Sequence, residues 1–228
     1  MLRNAVTQRA TFMTQSSTQA ARLREVSRRR REQQKDDLRR TILDAAAGLF
    51  LEHGYEGLSM RQIAERIGYS ATTIYRYYED KDDLLFAIVQ EGFQRFGTRL
   101  TKAAQRGGDR PLARLQALGH AYVEFGLRNP VYYQLMFMQR SDFLFESRAE
   151  EEAPMIDSFG VLQQSVEQAM EAGILRRGDP VTTSTVIWAV MHGITSLAIA
   201  DAKRFSKRQV QRSTELAMQM IRDGLRPS

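Results

Sequence analysis

The sequence predicts an all-α protein: an N-terminal helix-turn-helix in a three-helix bundle, followed by a helical C-terminal domain. Three observations carry this. Apolar residues recur at spacings of three and four through most of the chain, with no strand-like alternation. Ser, Asp and Pro stand where helices would start, and Gly stands where they would stop. The stretch Ser59–Lys81 reads as two short helices joined by a glycine turn.

Residues 1–35 show no packed-helix pattern and end in a run of arginines, Arg28 to Arg31. They hold nine Lys/Arg against two Glu, a net of +7, and are expected to form a flexible basic arm that adds sequence-independent affinity through phosphate contacts. The first packed helix is expected from about Asp36 to His53. Asp36 and Asp37 suit its positive end, Leu38, Ile42, Ala45 and Leu49 form its stripe, and Gly54 stops it.

The next helix is capped by Ser59, with Gln62 three residues on as a capping box needs and Leu58 and Ile63 as a hydrophobic staple. Ala64 is small at the expected crossing, and Gly68 supplies a left-handed turn. Ser70 caps the second helix, whose inner face is Ile74 and Tyr78. Thr72, Thr73, Tyr75, Arg76 and Tyr77 point away from that contact and include no acid. Such groups hydrogen-bond phosphates and touch base edges or thymine methyls, as on a helix that enters the DNA major groove.

Charge alone does not make this argument. The chain carries +6 overall, but residues 36–100 hold eight Lys/Arg against eleven Asp/Glu, a net of −3. Basicity belongs to the N-terminal segment; the motif identifies the reading head.

Asp80 is expected to cap a long fourth helix running to about Arg106, with Leu84, Leu85, Ile88, Val89, Phe93 and Phe96 inward. Arg106-Gly-Gly-Asp-Arg-Pro111 is the strongest punctuation in the chain. Pro111 then opens a helix lined by Leu112, Leu115, Gly119, Tyr122 and Val123, broken by Pro130. A short aromatic segment, 131–138, and a polar connection, 139–153, lead to a helix over Pro154–Ala172 that ends at Gly173. Asp179 caps the next helix and Pro180 starts it.

Pro180–Ala200 carries no charge and is long enough to cross a bilayer. Its many Ser and Thr residues, His192, and basic flanks on both sides argue instead for a helix buried on several sides in a protein with no membrane partner. The last helix starts at Ser206, and Val210, Thr214, Ala217 and Ile221 form its expected interface stripe.

Chain length and a 43% hydrophobic content suffice for a sizeable core. The chain has no cysteine, which fits a reducing cytoplasm. Its three histidines, His53, His120 and His192, are far apart, so no metal is expected; no cofactor is expected either. The sequence contains no glycine-rich phosphate loop, metal-ligand spacing or nucleophile elbow, which argues against an enzyme.

Taken together, Ile42-Leu-Asp-Ala-Ala-Ala-Gly-Leu-Phe, His53-Gly-Tyr-Glu-Gly-Leu-Ser-Met, Ile63-Ala, Gly68, Thr73-Ile-Tyr-Arg-Tyr-Tyr, Lys81, Leu84 and Leu85 resemble the tetracycline-repressor (TetR) family. The resemblance covers about residues 36–96. Trp188-Ala-Val-Met-His-Gly193 and Asn129-Pro-Val-Tyr-Tyr-Gln-Leu-Met-Phe137 resemble one subgroup of it.

Beyond the basic arm over 1–35, the resemblance implies a DNA-binding domain over 36–96 and a ligand-sensing and dimerisation domain over 97–228. It implies a homodimer, paired through the last two helices, that reads a palindromic operator in double-stranded DNA. It places Arg61 at a base edge or phosphate, Thr72 and Tyr75 at bases, and Thr73, Tyr77 and Lys81 at phosphates; Ser70 and Arg76 complete the DNA-facing set. Ala71 offers no hydrogen bond there. A partly apolar small-molecule effector is expected between the C-terminal helices, against Tyr122, Phe125, Tyr133, Phe137, Phe159, Trp188 and His192. The alternative is a helix-turn-helix protein without an effector, whose C-terminal core would be filled.

Overall fold

A computed structural model describes residues 2–138 and 157–227, with side chains at Arg22 and from Arg24 onward. Among the described residues there are nine helices and no strand: α1 Leu2–His53, α2 Met60–Ile67, α3 Ala71–Tyr75, α4 Lys81–Gly107, α5 Pro111–Arg128, α6 Pro130–Phe137, α7 Ser158–Glu171, α8 Pro180–Ala200 and α9 Lys207–Gly224.

The first helix does not begin at Asp36. The backbone is already helical from Leu2, and the residues expected as an irregular arm lie in α1. The reason is local for 22–35. This stretch is mostly Arg, Glu, Gln and Lys, with no Gly or Pro, and Glu25 bridges to Arg28 and Arg29 at 2.8 and 2.9 Å. A helix without an apolar stripe satisfies its own backbone and remains exposed.

Packing begins where the stripe begins. Ile42, Leu43, Ala46, Leu49 and Phe50 are buried, and Gly54 ends α1 at φ 68°. Ser59 accepts the Gln62 N–H and its hydroxyl meets Gln62 Oε1 at 2.8 Å. Leu58 and Ile63 are both buried beside this cap. Gly68 takes φ 72°, a region in which a Cβ is strained, so the chain reverses there. Asp80 caps α4 by accepting the N–H groups of Asp82 and Asp83.

The glycine stretch 106–111 is the turn of a helical hairpin in which α4 and α5 pack together, and α4 runs through residue 96 without a break. A Cβ on Gly107 would stand 2.5 Å from Arg114 Cα, so a bare backbone is needed where the hairpin closes. α4 therefore belongs to both halves of the molecule. Leu84, Leu85 and Ile88 are buried near its start, and Phe96, Leu100 and Ala103 further along.

Residues 139–156, which include the polar connection and the expected start of the next helix, lie outside the described residues. α7 is capped by Asp157, and Gly173 turns the chain after it at φ 67°. Asp179 caps α8 as expected, and α8 packs on α5, α7 and α9.

One expectation fails for the last helices. α8 packs on three helices of its own chain, yet only 28% of its apolar stretch is covered there. Ser184, Ile187, Met191, Thr195 and Ala198 face inward, while Val186 and Leu197 are 55% and 58% exposed. On α9 the stripe Val210, Thr214, Ala217 and Ile221 is buried or half-buried within the same chain, so it is no outward interface. The outward apolar residues there are Leu216 and Met220, 57% and 65% exposed. Periodicity identifies one apolar face, and the protein's own core claims it first.

Candidate nucleic-acid interface and ligand cavity

The recognition helix is one short segment, α3. Ile74, wholly buried, anchors it in the core of the head, where α3 packs on α2, and Tyr78 is buried just beyond. Two anchors four residues apart fix its rotation, so the other face must turn outward. Thr72, Tyr75 and Arg76 are exposed, and Tyr75 is 55% accessible. This face holds a hydroxyl, a phenol and a guanidinium, donors and acceptors suited to phosphates and base edges.

The other expected DNA-facing residues differ in what holds them. Ser70 spends its hydroxyl on the cap, accepting the Thr73 N–H, and lies 3.0 Å from the Thr73 hydroxyl. Arg61 is exposed on α2 and pairs with Glu65 at 2.9 Å. Tyr77 is half-buried against the core. Lys81 turns back, its ammonium 3.8 Å from the Tyr55 ring centre and 3.4 Å from the Tyr55 carbonyl. The Tyr55 hydroxyl donates to Asp82 at 2.6 Å, which helps push its pKa up to about 12. Cation–π contact and carbonyl thus fix Lys81 at the α3–α4 corner.

The second feature is a cavity of about 520 Å³ in the C-terminal half. α4 contributes Phe93, Phe96 and Leu100, and α5 contributes Leu115, Leu118, Gly119 and Tyr122. Phe137 of α6, Asp157, Ser158, Phe159 and Leu162 of the α7 region, and Ile187, Trp188 and Met191 of α8 complete it. Of the residues expected to line a pocket, Tyr122, Phe137, Phe159 and Trp188 do so. Phe125, Tyr133 and His192 do not: Phe125 packs behind Phe96, and Tyr133 is wholly buried behind Tyr122, with His192 stacked on it. The aliphatic lining and Phe93 and Phe96 were missed. Their sequence pattern is that of core, and only packing shows which core positions border a void.

Behind the wall runs a polar chain. Trp188 Nε1 donates to the Tyr122 hydroxyl at 3.0 Å, which lies 3.0 Å from the Tyr133 hydroxyl, itself 2.7 Å from His192 Nδ1. Burial pushes the Tyr122 hydroxyl up to about 12 and Tyr133 higher still. Burial also lowers His192 from its ordinary 6.5. A neutral imidazole accepting at Nδ1 completes the chain: Tyr133 donates to it, Tyr122 donates to Tyr133, and Trp188 donates to Tyr122. The Tyr122 hydroxyl is therefore committed to the protein, which leaves the cavity wall mainly hydrocarbon and aromatic.

This arrangement has a pH signature. Because the folded pKa of His192 is depressed, its neutral form contributes stability that is present above about 6.5 and lost as pH falls through the lowered folded value. Denaturant titrations from pH 7.5 to 5 are expected to show stability falling more steeply in the native chain than in His192→Gln. Parallel profiles would place the acid sensitivity elsewhere.

Comparison with known proteins identifies the fold. Residues 42–88 match the model of bacterial regulatory proteins of the tetR family, and residues 115–221 match the tetracyclin repressor-like C-terminal domain. The chain belongs to the TetR family. It is thus a DNA-binding transcriptional regulator, and the two family matches cover both the head and the cavity-bearing half.

Among curated TetR-type relatives, the HTH-type transcriptional repressor KstR of Mycolicibacterium smegmatis is 28% identical over 185 residues, covering 80% of this chain and 86% of that protein. KstR of Rhodococcus jostii is 27% identical, covering 80% and 82%. A solved protein of unknown function from Rhodococcus sp. RHA1 shares 28% identity at a TM-score of 0.67, over 83% of this chain and 96% of that one. The fatty acid degradation regulator FadR of Bacillus halodurans shares the TetR fold at a TM-score of 0.70 and 18% identity, over 83% and 97%.

Proposed function

We propose that the protein is a homodimeric, cytoplasmic repressor released from a palindromic operator by a largely apolar small molecule. The observation that carries this is α4. One continuous helix follows α3 directly, packs on α1 of the reading head with Leu84, Leu85 and Ile88 buried near its start, and borders the cavity at Phe93, Phe96 and Leu100. A ligand that fills the cavity and favours one position of α4 also favours one spacing of the two reading heads. Operator half-sites are roughly 34–36 Å apart or a related distance, so a changed spacing releases DNA. Repression, rather than activation, follows the named relatives.

Within this reading Thr72 and Tyr75 touch bases, and Thr73, Arg76 and Tyr77 touch phosphates, with Ser70 and Lys81 holding the helix ends. Arg61 reaches DNA by leaving Glu65, an exchange that costs little because both side chains are largely exposed. The dimer forms through the outward faces of α8 and α9, where Val186, Leu197, Leu216 and Met220 stand exposed. A 520 Å³ apolar cavity disfavours a regulator without an effector.

Selection and sequencing of genomic fragments bound by the purified protein tests the reading. The expected result is an enriched palindrome bound by a dimer, with affinity reduced at least about 100-fold in Arg61→Ala/Tyr75→Ala while the fold persists. Binding without an enriched sequence would overturn it.

A further inference from the structure

The reading head is poor in free positive charge. Arg61 pairs with Glu65, Arg66 with Glu52 at 2.6 Å, Lys81 lies on Tyr55, and Arg39 donates to the Tyr78 hydroxyl at 3.2 Å. Between residues 36 and 100 acids outnumber bases. Duplex DNA nevertheless demands cations, since phosphate neutralisation supplies most non-specific affinity.

α1 provides them. Arg24, Arg28, Arg31, Lys35 and Arg39 recur at spacings of four, three, four and four, which places all five on one face of the helix. The opposite side carries Arg22, Arg29, Arg30 and Asp37, while Glu25, Glu32 and Asp36 lie along the stripe's flank. The fifteen helical steps from Arg24 to Arg39 make the stripe about 22 Å long, the length of about six base pairs. Its end is fixed: Arg39 contacts Tyr78, so the stripe meets the head just past the recognition helix. Glu25 holds Arg28 at 2.8 Å, but in an exposed pair that phosphate readily replaces.

We propose that this stripe is a second, sequence-independent DNA contact that runs along the phosphates beside the operator. It rests on the DNA-binding role stated above. α1 then divides the work of binding: its basic face supplies salt-sensitive attraction, and α3 supplies sequence. This replaces the expected flexible arm with a helix of defined face, so which arginines are removed matters more than how many.

The test compares two full-length variants. Arg24→Gln/Arg28→Gln/Arg31→Gln/Lys35→Gln removes four charges of the stripe, and Arg22→Gln/Arg29→Gln/Arg30→Gln removes charge from the other side. Gln keeps helix propensity, and circular dichroism checks that the helix persists. Affinity is titrated against salt on the selected duplex and on an unrelated duplex of the same length.

The stripe variant is expected to lose on the order of tenfold or more in affinity for both duplexes at low salt. Its log–log salt slope should fall by about 0.9 for each phosphate contact removed. The ratio between the two duplexes should hold, and the other-side variant should keep the native slope. An unchanged slope in the stripe variant, or equal losses in both variants, would overturn the proposal. The unrelated duplex reads the stripe even when no operator is enriched, so failure of the specific reading shows separately, as a ratio near one in the native protein.

Discussion

Leu197→Glu/Met220→Glu is expected to yield a folded monomer whose operator affinity is at least about 100-fold lower. Both side chains are more than half exposed, so the chain's own core loses nothing when they change. In a two-fold dimer each surface meets its own copy, so every carboxylate introduced faces either hydrocarbon or another carboxylate. Desolvating an unpaired charge in this way costs several kcal/mol, enough to dissociate a dimer of ordinary size. A monomer reads one half-site and forfeits the linked second contact, which is worth about 10²–10⁴ in affinity. Sedimentation measures the mass, and titration of a full palindrome against a half-site measures the linkage. A dimer that persists with native affinity would place the interface elsewhere.

The choice of these two residues shows where the sequence is legible and where it is not. Helix ends are written locally. Ser59, Ser70, Asp80, Asp157, Asp179 and Ser206 accept backbone N–H groups at the starts of α2, α3, α4, α7, α8 and α9. A cap involves residues two or three apart, so reading it needs no tertiary knowledge.

What covers a face is not local. Val210 and Thr214 have the spacing of an interface, yet both are buried within the chain. Leu216 and Met220 are also four apart, yet they are the residues left outside. The cavity poses the same difficulty. Tyr133 and Phe137 are aromatic residues four apart on α6, but one fills the core and the other borders the void. The amino-terminal helix was illegible for a different reason. Its stripe is polar, and a search for apolar periodicity passes over a helix held by charge pairs and propensity.

The second large effect concerns neighbours on α3. Ile74→Ala is expected to destabilise the protein by about 2–5 kcal/mol, because a wholly buried side chain is removed and its neighbours collapse only in part. Tyr75→Ala is expected to leave stability within about 0.5 kcal/mol, as for most exposed positions. Both should weaken operator binding, for opposite reasons. Ile74 sets the rotation of α3 from within, while Tyr75 presents the contact from outside. The cause is separated by measuring denaturant midpoint and operator affinity on the same samples. For Ile74→Ala, affinity should recover in part with a stabilising osmolyte, which restores the folded population. For Tyr75→Ala it should not recover under any condition that preserves the fold. If Tyr75→Ala instead unfolds the head, the phenol is a packing group and sequence reading must rest on Thr72, Arg76 and the α2 residue Arg61. If Ile74→Ala leaves the midpoint unchanged, the anchor of α3 is not the side chain at its inner face, and the geometry that turns Thr72 and Tyr75 toward DNA needs another origin.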